Sequence, residues 1–288
     1  MTNRQVVEKI LAYHPPFPPE YAGCDDWKAG DPDRVCTGVV TALSPTIQVI
    51  REAARLGANL LIVHEPTFYT SEDGPGWFED FPNSVYEEKK RLLEAHGIAI
   101  WRDHDHLHAH DPDGIFTGVI KYMGWEGHAV TDRDTGLFSH FLIDFPETTL
   151  RELCRQVIDR IGLNGLRYVG DPEARVKSLA IVGHLYPMPC AKTRKDGSPL
   201  EYSVSIIDTL ERKADVIMPG ETIDWTVLSY VRDAVQLGKA KAAITIGHFN
   251  WEELGMKYAA DWLRELVGEA LPVHYVPSED MYHYELKG

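Results

Sequence analysis

The sequence predicts an α/β protein organised as two associated α/β lobes. Strand-like apolar runs alternate with amphipathic helical segments along the whole chain, the pattern of sheets covered by helices. Between Cys36 and Val63 the order is strand, helix, strand, which implies parallel strands and a right-handed crossover. The polar, Gly-containing run Thr131 to Gly136 interrupts the alternation and sets the expected lobes at 1–130 and 131–288.

In the first lobe, Val6, Ile10 and Leu11 mark a short helix, closed by the turn-rich Pro15-Pro16-Phe17-Pro18-Pro19. Cys36 to Leu43 reads as a buried strand. Ser44-Pro45 is expected to open a helix, because serine caps and proline suits the first helical position. Ile47, Ile50, Ala53 and Ala54 form its apolar face, Gly57 ends it, and the strand Leu60 to Val63 follows. After the aromatic loop Phe68 to Phe81, Ser84-x-x-Glu87 reads as a capping box for a charged helix ending near Gly97. Ile98 to Trp101 is the next strand, and a helix from about Gly114 to Met123 completes the lobe.

The second lobe begins with a strand at Leu137 to Phe145. Thr149-x-x-Glu152 is a second capping box, with Leu150, Leu153, Val157, Ile158 and Ile161 on one helical face. Strands at Leu166 to Val169, Leu179 to Val182, Val216 to Met218 and Ala242 to Ile246 alternate with helices. Those helices fall at Val204 to Arg212, Ile223 to Leu237 and about Trp251 to Val267.

With 288 residues the chain can bury a sizeable core. Its 44% hydrophobic and 25% charged content are those of a soluble globular protein. A formal net charge of −15 argues against a nucleic-acid surface, which needs clustered Lys and Arg. Four scattered cysteines, Cys24, Cys36, Cys154 and Cys190, give neither a zinc ribbon nor a disulfide framework. The N-terminus leads into an amphipathic pattern rather than a signal peptide, and no apolar run approaches a membrane span. A cytoplasmic protein with no membrane contact is expected.

Three stretches carry the chemistry. The apolar run Asn59 to Val63 ends in His64-Glu65-Pro66, at the carboxyl end of a strand where α/β sheets place functional groups. Four of the 13 histidines, His104, His106, His108 and His110, fall within seven positions. If the preceding strand stays extended they project from one face, as transition-metal ligands or as a polar loop. Gly247-His248-x-x-x-Glu252 straddles a strand end and a helix start. It is either a ligand pair or a part-buried histidine beside a glutamate that favours the helix N-terminus.

Val63-His64-Glu65-Pro66, the His104 to His108 segment, Pro219-Gly220-Glu221 and Gly247-His248-Phe249-Asn250-Trp251-Glu252 resemble, in order and spacing, the Nif-three-like dinuclear metal-centre family. Its members are often described as GTP cyclohydrolase 1 type 2 homologues. The resemblance covers nearly the whole chain. It implies mixed sheets and a metal site in the cleft between the lobes, with the segment from about 242 to 288 returning His248 and Glu252 to that site. It also implies a ligand set of His64, Glu65, His108, His248 and Glu252 for two divalent transition-metal ions, and catalytic roles for Glu221 and His104. Two positions depart from the family pattern. Glu65 stands where a second histidine is usual, and His108 where the motif ends in aspartate. The exchange keeps three imidazoles and two carboxylates.

Such ligands suit Zn, Mn, Fe, Co or Ni. Paired ions acidify water and clamp a phosphoryl or carbonyl oxygen, so a metal-dependent hydrolase of a small phosphorylated or heterocyclic substrate is expected. The alternative is a non-enzymatic metal-binding adaptor acting through partner contacts. No GxxxxGK[ST] loop or G-x-S-x-G elbow is present. His104 could orient a ligand or carry a proton, and Glu221 could act as a base or cap the following helix. His184 could face the site or be structural, and His106 and His110 are expected to be solvated. Lys192, Arg194 and Lys195 form a basic loop, either solvated or contacting an anion. Family resemblance also implies a homo-oligomer, a hexamer.

Overall fold

The computed structural model describes residues 1–71, 73, 77–130, 141–185 and 189–286, so the expected boundary at Thr131–Gly136 and the start of the strand at Leu137 lie outside the described residues. The chain forms two compact units, residues 1–118 with 252–279, and residues 119–251 with 280–288. Among the described residues, each unit has a mixed sheet.

In the first unit the sheet order is Trp27–Ala29, Ala99–Arg102, Leu60–Val63, Val39–Ala42, Val273–Tyr275. The central strands pair in parallel, with Val39 opposite Leu60 and Leu60 opposite Ala99, as the strand–helix–strand reading requires. Among the described residues of this sheet only the Trp27–Ala29 edge is antiparallel. Every residue of Val39–Ala42, Leu60–Val63 and Ala99–Arg102 is buried, which is why these strands read as continuous apolar runs rather than alternating ones.

The second unit's sheet runs Ala129–Val130, Leu142–Thr149, Arg175–Val182, Val216–Pro219, Ala242–Thr245, Arg167–Val169. A hairpin, Pro189–Thr193 with Pro199–Glu201, stands apart from it. Arg194 and Lys195 sit exposed in its turn. The helix Leu150–Ile161 carries the expected capping box, with Thr149 accepting from the Glu152 amide and the Glu152 side chain reaching back.

Two helix caps differ from expectation. The second helix begins at Ile47 with Thr46 as its cap, not at Ser44-Pro45. The charged helix Ser84–His96 is capped by Asn83, whose side chain accepts from the Tyr86 amide, and not by a Ser84 box. In both places a neighbouring cap-competent residue holds the extended backbone that capping needs.

The loop after Glu65 is tied down by charge. Asp73 accepts from the amides of Thr67 and Phe68 at 2.7 and 2.6 Å, and Lys89 donates to the Thr67 carbonyl at 2.6 Å. Lys89 is buried, and burial pushes its ammonium down to about 8, partly opposed by Asp73. Its unfolded value near 10.5 is higher, so the unfolded chain binds the extra proton between pH 8 and 10.5. The desolvation penalty is complete below pH 8 and lifts as pH rises to 10.5. Urea unfolding should therefore show wild type gaining stability relative to Lys89→Met over that window, by about 1–3 kcal/mol. A pH-independent difference would contradict this placement.

Candidate metal centre

His64 leaves the strand Leu60–Val63 at its carboxyl end and is wholly buried. Its amide and that of Glu65 both donate to the Leu43 carbonyl, at 3.0 and 2.8 Å, which fixes the turn at Pro66. The neighbouring strand Ala99–Arg102 delivers Asp103, whose amide donates to the Val63 carbonyl at 2.8 Å. Arg102 Nε donates to the His64 carbonyl at 3.0 Å. Two parallel strands thus end together and place His64 beside the histidine segment.

That segment does not stay extended. Asp105–His108 is one turn of helix, because Asp25 accepts the amides of His104, Asp105 and His106 at 2.7, 2.9 and 2.9 Å. Helical spacing brings His104 and His108 together, with ring centroids 4.9 Å apart. His64 lies 4.3 Å from the first ring and 4.9 Å from the second.

One imidazole nitrogen from each of His64, His104 and His108 falls within 4.8 Å of the others. Each ring has its Nδ1 against an oxygen: the Asp103 carbonyl at 3.1 Å for His64, Asp105 Oδ1 at 2.8 Å for His104, and Asp113 Oδ2 at 2.8 Å for His108. An oxygen on Nδ1 fixes the tautomer and leaves Nε2 with its lone pair, the arrangement that metal-binding histidines use. The His104 imidazole is pushed down to about 4, by burial first and then by the neighbouring His64 and His108 rings, so it is neutral at pH 7. Burial opposes ionisation of Asp105, yet the Tyr21 hydroxyl and the His104 ring hold its carboxyl well below the usual range.

The carboxylates complete the group. His64, Glu65 and Glu252 are buried and also offer ligand atoms within 4.8 Å of one another. His64 Nε2 lies 3.1 Å from Glu252 Oε2 and is buried without a hydrogen bond among the described residues. Atoms bound to one ion at about 2.0–2.2 Å must lie within roughly 4.4 Å of each other, a spacing that small side-chain rotations reach here. Two carboxylates beside these imidazoles would balance a divalent cation. The residues fit a transition-metal ion. Cys24 is adjacent, but burial pushes its thiol up to about 12 and its Sγ donates to Asp105 at 3.4 Å.

Among the residues singled out in the sequence, the first unit gathers His64, Glu65, His104, His108 and Glu252. His104 joins the ligand-bearing group itself. In the second unit, His248 Nδ1 lies 3.4 Å from Glu221 Oε1, and the His184 ring is 4.7 Å from that of His248. The Glu221 amide donates to His184 Nδ1 at 2.9 Å, so His184 sits within this cluster. Glu221 does not cap the following helix, which starts at Val227. His106 and His110 are not simply solvated. His106 is buried with Nδ1 2.6 Å from Asp25, and His110 meets His14 at 2.7 Å. Asp113 was not evident in the sequence, although Asp-Gly before an apolar helix is a capping signal. Its Oδ1 accepts from the Ile115 and Phe116 amides while Oδ2 holds His108. Asp113→Ala should weaken metal binding about 10–100-fold by freeing His108 and cost about 1 kcal/mol of capping. Calorimetric metal titration and thermal unfolding measure the two effects separately.

Fold and site together define an α/β protein with a part-buried histidine–carboxylate group fit for a transition-metal ion. The family model described as Duf34/NIF3 (NGG1p interacting factor 3) matches residues 5–184, and the chain belongs to this family. It is 23% identical over 228 residues to a protein of Clostridium acetobutylicum named GTP cyclohydrolase 1 type 2 homolog, covering 77% of this chain and 75% of that one. Its fold is similar to that of Staphylococcus aureus protein SA1388, with TM-score 0.70, 18% identity and 99% of each chain covered. A Bacillus cereus protein related to NIF3 is also similar, with TM-score 0.66, 14% identity and 99% of each chain covered.

Proposed function

We propose that the protein is a metal-dependent hydrolase using two divalent transition-metal ions against a small phosphorylated or heterocyclic substrate, nucleotides included. The observation that carries this reading is the convergence of His64, His104 and His108, each with Nδ1 held by an oxygen, beside the buried Glu65 and Glu252. His248 opens the helix on which Glu252 lies one turn later, and that spacing supports it as a further ligand. Bound ions would supply an acidified water and a clamp for a phosphoryl or carbonyl oxygen. In this reading His104 also binds the metal rather than acting only in proton transfer. Glu221, whose Oε1 lies 3.4 Å from His248 Nδ1, is proposed as a base, the role that family resemblance implies.

The exchange at Glu65 and His108 preserves the ligand number and charge, which supports retention of the centre. The protein is proposed to be cytoplasmic and homo-oligomeric, as a hexamer; no helix among the described residues is long and apolar enough to cross a membrane. A second reading, a metal-binding adaptor, draws on the family's description as an interacting factor. Turnover separates the two. Metal-loaded protein is assayed against a panel of nucleotides and phosphoesters, with His248→Ala as control. Hydrolysis that His248→Ala lowers at least tenfold, with the fold intact, supports the enzyme. Full metal occupancy with no turnover of any member supports the adaptor.

A further inference from the structure

A second group of buried ionisable side chains in the first unit is not used by the centre described above. Asp25, Asp103 and His106 each offer a ligand atom within 4.8 Å of the others, and all three are buried. Asp25 Oδ2 lies 2.6 Å from His106 Nδ1 and also accepts the His106 amide at 2.9 Å. The Asp103 side chain is fully enclosed, and its Oδ2 meets His14 Nε2 at 3.0 Å. Its Oδ1 is buried and makes no hydrogen bond among the described residues. Natural interiors rarely leave a carboxylate oxygen in that state without a cation or donor beside it. His14 cannot turn to it, because its other ring nitrogen is 2.7 Å from His110.

We infer that Asp25, Asp103 and His106 form a second cation site, for a divalent transition-metal ion, distinct from the His64–His104–His108 centre. Two carboxylates match the charge of a divalent ion, and the imidazole favours a transition metal over magnesium or calcium. His14 holds Asp103 in place through Oδ2, and Oδ1 makes no hydrogen bond among the described residues. The rings of Phe17 and Tyr21 pack 4.5 and 5.4 Å from that of His106 and restrict water. The two sites share a residue without sharing a ligand. Asp103 gives its side chain to this cluster and its carbonyl to His64 Nδ1. Asp103→Asn therefore removes the carboxylate charge while the carbonyl that orients His64 remains.

The test counts zinc. Metal-free protein is loaded with Zn²⁺, passed through gel filtration and analysed for zinc per chain. With the first centre disabled by His64→Ala and Glu252→Gln together, about one zinc per chain is expected to remain if one ion occupies the second site. Adding Asp103→Asn, or separately His106→Gln, is expected to remove it. A count unchanged by either addition overturns the second site, whatever the first centre does. No zinc in the His64→Ala/Glu252→Gln protein, with circular dichroism matching wild type, overturns it as well. Full retention in that double variant, with loss on adding Asp103→Asn, would keep this site and remove the first.

Discussion

His64→Ala is expected to cause the largest loss of metal affinity of any single substitution in this protein. His64 is common to the imidazole trio and to the carboxylate trio, so removing it takes one ligand from each. Loss of a group that only orients a ligand costs about 10–100-fold; loss of this proposed shared ligand should exceed the upper end of that range. The ring is wholly buried, and deleting it also leaves a void. His64→Gln, which fills more of the space, separates the two effects. Both variants should lose metal in a competition titration against a chelator, while His64→Gln keeps more of the unfolding midpoint. Wild-type affinity in both would remove His64 from the centre.

The second large effect is on stability. Gly118, on the helix Gly114–Met123, faces the helix His248–Val267 so closely that a Cβ would lie 2.7 Å from the Leu254 carbonyl oxygen and 2.8 Å from Gly255 Cα. From the other helix, a Cβ on Gly255 would meet Ile115 at 2.7 Å. The obstacles at Gly118 are these two backbone atoms and, also at 2.8 Å, Tyr258 Cβ, none of which a rotamer change can move aside. Gly118→Val should therefore destabilise at or above the roughly 1–3 kcal/mol typical of overpacking. These helices also carry the partners of the centre: Asp113 holds His108 just before the first, and Glu252 lies on the second. Separating them should lower metal affinity as well as the unfolding midpoint. Gly118→Ala should show the same direction with a smaller shift, measured by urea unfolding.

Much of the fold was legible because its strands are short, fully buried and bounded by polar residues. Leu60–Val63, between Asn59 and His64, and Val216–Pro219 are of this kind. The edge strands Trp27–Ala29 and Val273–Tyr275 were not, since three residues show neither an apolar run nor an alternation. Helix starts were displaced where two capping residues stand close in sequence, as Ser44 with Thr46 and Asn83 with Ser84, and the backbone selects between them.

The candidate centre was legible in its residue types but not in its local shape. Alternating histidines after a strand suggest an extended face. Asp25, 79 positions before His104, instead gathers three successive amides and winds the segment into a turn. No local pattern contains that partner. The same holds for His14, which pairs with Asp103 89 positions away and with His110 96 positions away and so draws His110, expected in solvent, into a part-buried network. Family resemblance pointed to the Glu65 and His108 exchange. The geometry adds that both lie with His64 in ligand-bearing groups, Glu65 with Glu252 and His108 with His104.

The most direct test of the metal-centre proposal is anomalous X-ray scattering from crystals of the metal-loaded protein, collected on either side of the Mn, Fe, Co, Ni and Zn absorption edges. An anomalous peak is expected about 2.0–2.2 Å from the Nε2 atoms of His64, His104 and His108, close to the Glu252 carboxylate. A metal-loaded crystal with no peak among these three rings, or with peaks only at residues that leave His64 untouched, would contradict it.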